Sequence, residues 1–307
     1  MRRPRSYVLG AALLALGLLL GACGSGGDDD ESSAGGGGGT EEKGQITVGD
    51  DSFAESQIVA EMYAQVLEDA GYEVDRKSTK SREVRLPAME SGEIDVAPEY
   101  LATLVSVLDP KAGRVSTPED ATAALEPLLA DKGLAVLEAS EAVDTNVFVV
   151  TPELAEKYTT ISDLAPDAAD LTLGGPAECP TRPYCIPGLK EVYGIEFGEF
   201  EALDYGPPTV AALKQGAVDV GLLFSTDGTI DAQGLVVLED DKGLQAADNI
   251  TPLVNEEAVD EEAIDLLNSV SALLTTEIVT ELNTRVGVDQ EDPEDVARDF
   301  LEQEGLL

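Results

Sequence analysis

The chain of 307 residues contains no histidine and no tryptophan, three cysteines, 8 Tyr with 6 Phe, and 19 Lys plus Arg against 61 Asp plus Glu. Each shortage excludes something. Without histidine there is no Ser-His-Asp triad, no Cys-His pair and no His-ligated zinc or haem. With a formal charge of −42 there is no basic footprint for nucleic acid, and charge alone does not draw the chain onto anionic lipid. Without tryptophan, any aromatic site is built from Tyr and Phe. What is present is ordinary: 43% hydrophobic residues and a mean hydropathy of −0.04 describe a chain that folds around a core, not an acidic disordered tail. The length allows one large or two medium domains.

The N-terminus reads as an address. Arg2, Arg3 and Arg5 precede an apolar run over Tyr7–Gly21 that is short for a membrane span. Residues 1–22 are therefore an expected signal peptide. The run ends in Leu20-Gly21-Ala22-Cys23, which resembles the bacterial lipobox and implies that Cys23 is diacylated as the mature N-terminus. Residues 23–44, with Asp28-Asp29-Asp30-Glu31 and five consecutive glycines at 35–39, read as a flexible acidic tether. Removing the three N-terminal arginines moves the charge from −42 to −45. Cys179 and Cys185 remain, six residues apart. In an exported chain a local disulfide is the default; a metal pair would lack further His or Cys ligands, and two free thiols are the third reading.

From Gln45 short apolar strands alternate with helical stretches. Ile46–Gly49, Tyr72–Val74 and Ile94–Val96 read as strands; 57–70 and 82–92 read as helices, the first with Ile58, Met62, Val66 and Leu67 on one face. This is the pattern of an α/β fold with a largely parallel sheet. It recurs. Pro87–Tyr100 and Ala211–Phe224 both run helix, Gly, hydrophobic-Asp-Val, then an aromatic five residues after the Asp, at an offset of 124. Ile46–Gly49 and Leu171–Gly174 repeat at 125. Two lobes follow: residues 45–148 with 251–307, and 149–250, joined by crossings near Phe148–Thr151 and Asn249–Pro252. Helices over 261–273 and 292–301 are expected to pack back on the first lobe. Ligands of open α/β sheets bind beyond the carboxyl ends of the strands, which places Tyr100 and Phe224 at a cleft between the lobes.

Val48–Ser56, Ala60–Gln65, Glu90–Tyr100 and Phe224-Ser225-Thr226-Asp227-Gly228 resemble, in order, the substrate-binding proteins of osmoprotectant ABC importers, the binders of glycine betaine, carnitine and choline. The resemblance implies a bilobal, type II periplasmic-binding-protein fold that closes on a small quaternary amine and delivers it to a permease. It also implies a monomer, no cofactor and no metal, held by its lipid at the outer face of the cell membrane. A quaternary ammonium has no N–H to donate, so aromatic faces hold it, while a betaine carboxylate calls for Arg, Lys or backbone N–H. Carried over by motif, Tyr100 and Phe224 are cage rings and Arg182 a carboxylate contact, or else the partner of Glu178. Phe53, Thr103, Asn146, Thr226, Asp227 and Asn249 complete the candidates, with turn or capping roles as the alternative for Asn146, Asn249 and the Ser225–Gly228 segment. The chain departs from the family at Asp51, where relatives carry Lys, and at Asp144-Thr145-Asn146 in place of Asn-Thr-Tyr. Both departures point to a ligand more cationic or more hydrogen-bonding than betaine.

Three rival readings stay in view. One is a receptor for another small polar or cationic solute. The second is an extracellular enzyme using a carboxylate pair such as Asp219 with Asp227 or Glu99 with Asp95. The last is a structural envelope lipoprotein. Ligand-induced closure separates a receptor from the other two.

Overall fold

Strand β1 (Gln45–Asp51) leads into helix α1 (Ala54–Asp69), which buries Ile58, Val59, Met62, Tyr63, Val66 and Leu67 at three- and four-residue spacing. Strand β2 (Glu73–Thr79), helix α2 (Arg82–Glu90) and strand β3 (Val96–Tyr100) follow. All five residues of β3 are buried, as expected of a central strand covered on both faces. Helices α3 (Leu101–Leu108) and α4 (Pro118–Ala130) come next, the latter capped by the Thr117 side chain with proline at its first position. The computed structural model describes residues 43–307 except 113, 114, 116 and 247. The signal peptide, Cys23 and nearly all of the tether lie outside the described residues.

The remaining strands are β4 (Leu134–Val136), β5 (Val143–Asp144), β6 (Asn146–Val150), β7 (Thr172–Gly175), β8 (Glu199–Ala202), β9 (Val220–Phe224), β10 (Val236–Val237) and β11 (Asp248–Asn255). They form two mixed sheets within one compact unit. The first has the order β2-β1-β3-β11-β4, with β5 also paired to β11; the second has β8-β7-β9-β6-β10. In each sheet three parallel strands are followed by an antiparallel one, β11 against β3 and β6 against β9. This is the bilobal α/β architecture expected from the repeat. Apolar side chains cover both faces of both sheets. Helices 261–271 and 293–304 pack on α1, as expected; a further helix, Thr276–Gly287, was not foreseen.

The repeat is register-true. Val48 pairs with Val96 in one sheet and Leu173 with Val220 in the other. The Asp of each hydrophobic-Asp-Val motif has the same role: Asp95 accepts from the backbone N–H of Thr47 and Asp219 from that of Thr172, both at 2.8 Å. In return the backbone N–H groups of Asp95 and Asp219 donate to the carbonyls of Thr47 and Thr172. Gly92 and Gly216 precede them with φ of +72° and +67°, a left-handed turn that ends each preceding helix.

The lobe junctions differ from the expectation. Phe148–Val150 lie inside β6, and Asn249–Pro252 inside β11, each a stretch paired within one sheet rather than a crossing between the two. The chain changes sheet at Thr145, the single residue between β5 and β6, and is back in the first sheet at Asp248, where β11 begins. Thr145 ties both crossings together. Its N–H donates to Ser225 Oγ at 3.0 Å and its hydroxyl to the Ala246 carbonyl at 2.9 Å.

Because Asp95 and Asp219 each clamp a neighbouring strand, Asp95→Ala and Asp219→Ala should each cost about 1.5–3 kcal/mol, the value of a hydrogen bond to a charged group. Urea unfolding measures it, and the Asn variants, which keep an acceptor, should recover most of the loss.

Candidate ligand-binding cleft

The parallel strands of both sheets end at one cleft of about 340 Å³. Asp51 ends β1 with Ser52 and Phe53 after it, Lys80–Arg82 follow β2 and Tyr100 ends β3; from the other lobe, the Pro176–Cys185 loop follows β7, Asp204–Tyr205 follow β8 and Phe224 ends β9. The matched residues Tyr100 and Phe224 thus meet, their rings 6.2 Å apart and inclined by 9°. Phe53 lies 5.0 Å from Phe224 and 6.4 Å from Tyr100. Tyr205 stacks on Phe224 at 4.2 Å and sits 6.1 Å from Phe53. These spacings make one contiguous aromatic wall, since nothing fits between rings stacked at 4.2 Å.

The first-lobe floor is a buried charge network. Arg82 Nε donates to both oxygens of Glu99 at 2.8 and 3.0 Å, and Arg85 Nη2 donates to Glu99 at 2.7 Å. Arg85 Nη1 lies 2.7 Å from Asp51. Arg85 and Glu99 are fully buried. Burial opposes the Glu99 charge, but the Arg82 and Arg85 guanidiniums outweigh it and hold its carboxyl at about 2. The acid at position 51, expected to favour a cationic ligand, is therefore neutralised by Arg85.

A second group of acids has no such partner. The Tyr100 hydroxyl donates to Glu55 Oε1 at 2.6 Å, Asn283 Nδ2 donates to Glu55 Oε2 at 2.9 Å, and the Thr226 hydroxyl also reaches that oxygen. Asp144 accepts from Ser225 and Thr226; Asp248 accepts from the N–H of Thr103 at 2.8 Å and from its hydroxyl. Among the described residues no Lys or Arg forms an ion pair with Glu55, Asp144 or Asp248. Burial raises all three carboxyls, Asp248 to about 6, and the Glu55 charge adds to the rise at Asp144.

Of the candidates, Phe53, Tyr100, Thr103, Asn146, Arg182 and Phe224 line the cleft. Thr226, fully buried, stands behind it and joins Glu55 to Asp144. Asp227 caps the following turn through Thr229, and Asn249 donates to the Ser140 carbonyl, so both are structural. The Arg182 side chain makes no ion pair with Glu178: it reaches across the cleft to Glu83 of α2 at 3.2 Å and to the Tyr205 hydroxyl at 3.4 Å. Cys179 and Cys185 are disulfide-bonded, Cα atoms 5.2 Å apart, and frame the loop that carries it.

Tyr205, Asp144, Asp248 and Arg82 were not foreseen. The repeat could have shown Tyr205, which lies 125 residues after Lys80, another cleft residue. All four carboxylates considered for catalysis have structural partners. Asp95 and Asp219 clamp strands, Asp227 caps a turn and Glu99 binds two arginines.

A family model described as the substrate-binding domain of ABC-type glycine betaine transport systems matches residues 44–303. The chain is 28% identical over 280 residues to a glycine-betaine-binding protein of Pseudomonas aeruginosa, covering 85% of this chain and 88% of that one. It is 29% identical over 271 residues to the carnitine transport binding protein OpuCC of Listeria monocytogenes, covering 85% and 87%. Among solved structures, that of a glycine betaine/carnitine/choline ABC transporter protein superposes with a TM-score of 0.65 at 25% identity, over 85% of this chain and 99% of the other.

Glu99→Ala would leave two buried guanidiniums without their carboxylate and should cost about 3–5 kcal/mol in urea unfolding at pH 7. The Glu99 carboxyl is lowered in the fold, so its contribution is full above the ordinary value of 4.5 and is lost as pH falls toward 2. The stability gap between wild type and Glu99→Gln should therefore narrow steadily below about pH 4.5.

Proposed function

The chain belongs to the family of substrate-binding domains of ABC-type glycine betaine transport systems, and from that premise we propose that it captures a small quaternary-ammonium solute in this cleft. It is an extracytoplasmic receptor that passes its ligand to a permease. The observation that carries the ligand reading is the wall of Phe53, Tyr100, Tyr205 and Phe224 beside the acids Asp144 and Asp248. Ring faces attract an ammonium that cannot donate a hydrogen bond, each desolvated contact contributing on the order of 1–2 kcal/mol. The acids add negative potential in a site of low dielectric.

Lobe closure accompanies capture. Thr145 and Asp248 are the points at which the two chain crossings turn, and the Arg182–Glu83 pair ties the lobes at the mouth. Glu83 is 44% exposed, so the tie contributes only a few tenths to about 1 kcal/mol. Arg182 is thereby a closing contact first; a carboxylate-bearing ligand would compete with Glu83 for it. Cys23 carries the lipid that anchors the receptor, as a monomer, to the outer face of the membrane. Mass measurement of the mature N-terminus tests the anchor: an unacylated terminus would exclude it.

A calorimetric panel of choline, glycine betaine, carnitine, amino acids and polyamines tests the ligand class. At least one quaternary amine should bind. Tyr205→Ala and Phe224→Ala should each weaken it about 5- to 30-fold, the equivalent of one ring contact, while Tyr205→Phe keeps the ring and most of the affinity. Binding only by ligands without a quaternary nitrogen would overturn the ligand class and leave the receptor role standing.

A further inference from the structure

Asp144 closes β5 and Asp248 opens β11, and the two are direct partners in the antiparallel register. The two chain crossings thus each bring one acid to the same level of the hinge. Directly opposed residues of an antiparallel pair project to the same face with Cβ atoms about 4.5–5.5 Å apart, and both side chains line the cleft. They are 1% and 7% exposed. The aromatic wall is close enough for the Asp144 charge to act on the hydroxyls of both Tyr100 and Tyr205.

The groups facing this pair come from every element around it. Helix α1 supplies Glu55, β3 supplies Tyr100, and α3 supplies the Thr103 donors to Asp248. The turn after β9 supplies Ser225 and Thr226, and helix Thr276–Gly287 supplies Asn283, which is spent on Glu55 and the Thr226 carbonyl. Arg82 of α2 also lines the cleft; its field lowers the Asp248 carboxyl somewhat, while its Nε and Nη2 donate to Glu99. The remaining partners are neutral donors. Three acids kept from water with only neutral donors hold protons that isolated surface carboxyls would have lost.

We propose that Asp144 and Asp248 are the counter-ion pair for the cationic head of the ligand, and that seating the cation there expels a proton into solvent. The proposal rests on the quaternary-ammonium reading above. The step balances simply: a carboxyl O–H bond breaks, its proton passes to water or buffer, and the carboxylate left behind faces the ammonium without a covalent bond. Where the pair still holds a proton, one cation replaces another and the charge at the hinge changes little on binding. The site consequently selects the charge on the head and not merely its shape. Affinity for a cation falls with acidity, since protons then compete for the same oxygens.

The sign follows from the raised carboxyls. Above about pH 6 Asp248 is largely ionised and ready for a cation; below it, the ligand must displace a proton. One such group makes affinity about tenfold weaker at pH 5 than at pH 7. In the free protein the same groups act oppositely on stability. A carboxyl raised by folding weakens the fold once pH exceeds its ordinary value of 3.8, increasingly so up to about 6.

The test is titration calorimetry of the full chain with choline at pH 5, 6 and 7, in buffers of low and high ionisation enthalpy. Glycine betaine serves as second probe and the uncharged tert-butyl isostere of choline as control. The expected result is an observed enthalpy that varies with buffer ionisation enthalpy in the sense of proton release, an affinity about tenfold lower at pH 5, and no proton release with the isostere. Asp144→Asn combined with Asp248→Asn should abolish the buffer dependence and flatten the pH profile. Should the double variant fail to fold, the wild-type buffer dependence decides alone. Tight choline or betaine binding with equal affinity from pH 5 to 7 and no buffer dependence would overturn this inference and leave the proposed function intact. Absence of binding by any quaternary amine would remove both.

Discussion

Keeping charge out of water is the constraint around which the cleft is built. An ionised carboxylate or guanidinium in a protein interior survives only with a partner of opposite charge or a full set of hydrogen bonds. The first lobe meets that demand internally. Glu99 lies between Arg82 and Arg85, and Arg85 turns its other nitrogen to Asp51, so the ends of β1 and β3 and the start of α2 are fixed to one another. The rings of Phe53 and Tyr100 stand on this base. At the hinge the demand is met differently, by hydroxyls and amides around Glu55, Asp144 and Asp248. The same cleft therefore has a rigid ionic floor and, beside it, acids whose charge state is adjustable.

That division connects fold to function. The floor sets geometry and is expected to matter for stability before it matters for affinity. The hinge acids lie where the chain passes between lobes, and their hydrogen-bond partners come from both: Thr103 and Asn283 from one side, Ser225 and Thr226 from the other. Closure and ligand charge are thereby linked through the same few oxygen atoms. The large negative charge of the chain acts differently; most of it is solvated exterior, and the acids whose carboxyls are raised are those that burial deprives of water.

Much of the fold was legible because its signals are local. The Gly and the hydrophobic-Asp-Val sequence at an offset of 124 reflect a turn, a strand start and a backbone clamp, all decided within about ten residues. Tyr100 and Phe224 were found for the same reason, as last residues of matched strands. The crossings were misplaced because Ile250–Val254 belongs to a strand that begins at the crossing itself, and sequence gives no mark where a strand changes neighbours. Asp144 stands out only as part of a departure from the family motif and Asp248 not at all among 61 acids, since nothing local marks either as a cleft residue. Only pairing between positions 104 apart in the chain brings them together. Arg182 was noticed for its scarce charge, yet its partner Glu83 lies 99 residues away in the other lobe.

The central claim is that a cationic head rests between the aromatic wall and the hinge acids. A crystal structure of the protein with choline tests it most directly. The account predicts the quaternary nitrogen within about 6 Å of ring centroids of the wall, with its exposed side toward Asp144 and Asp248 and the Arg82–Glu99–Arg85 network unchanged. A head group bound away from both the rings and the two acids would contradict it.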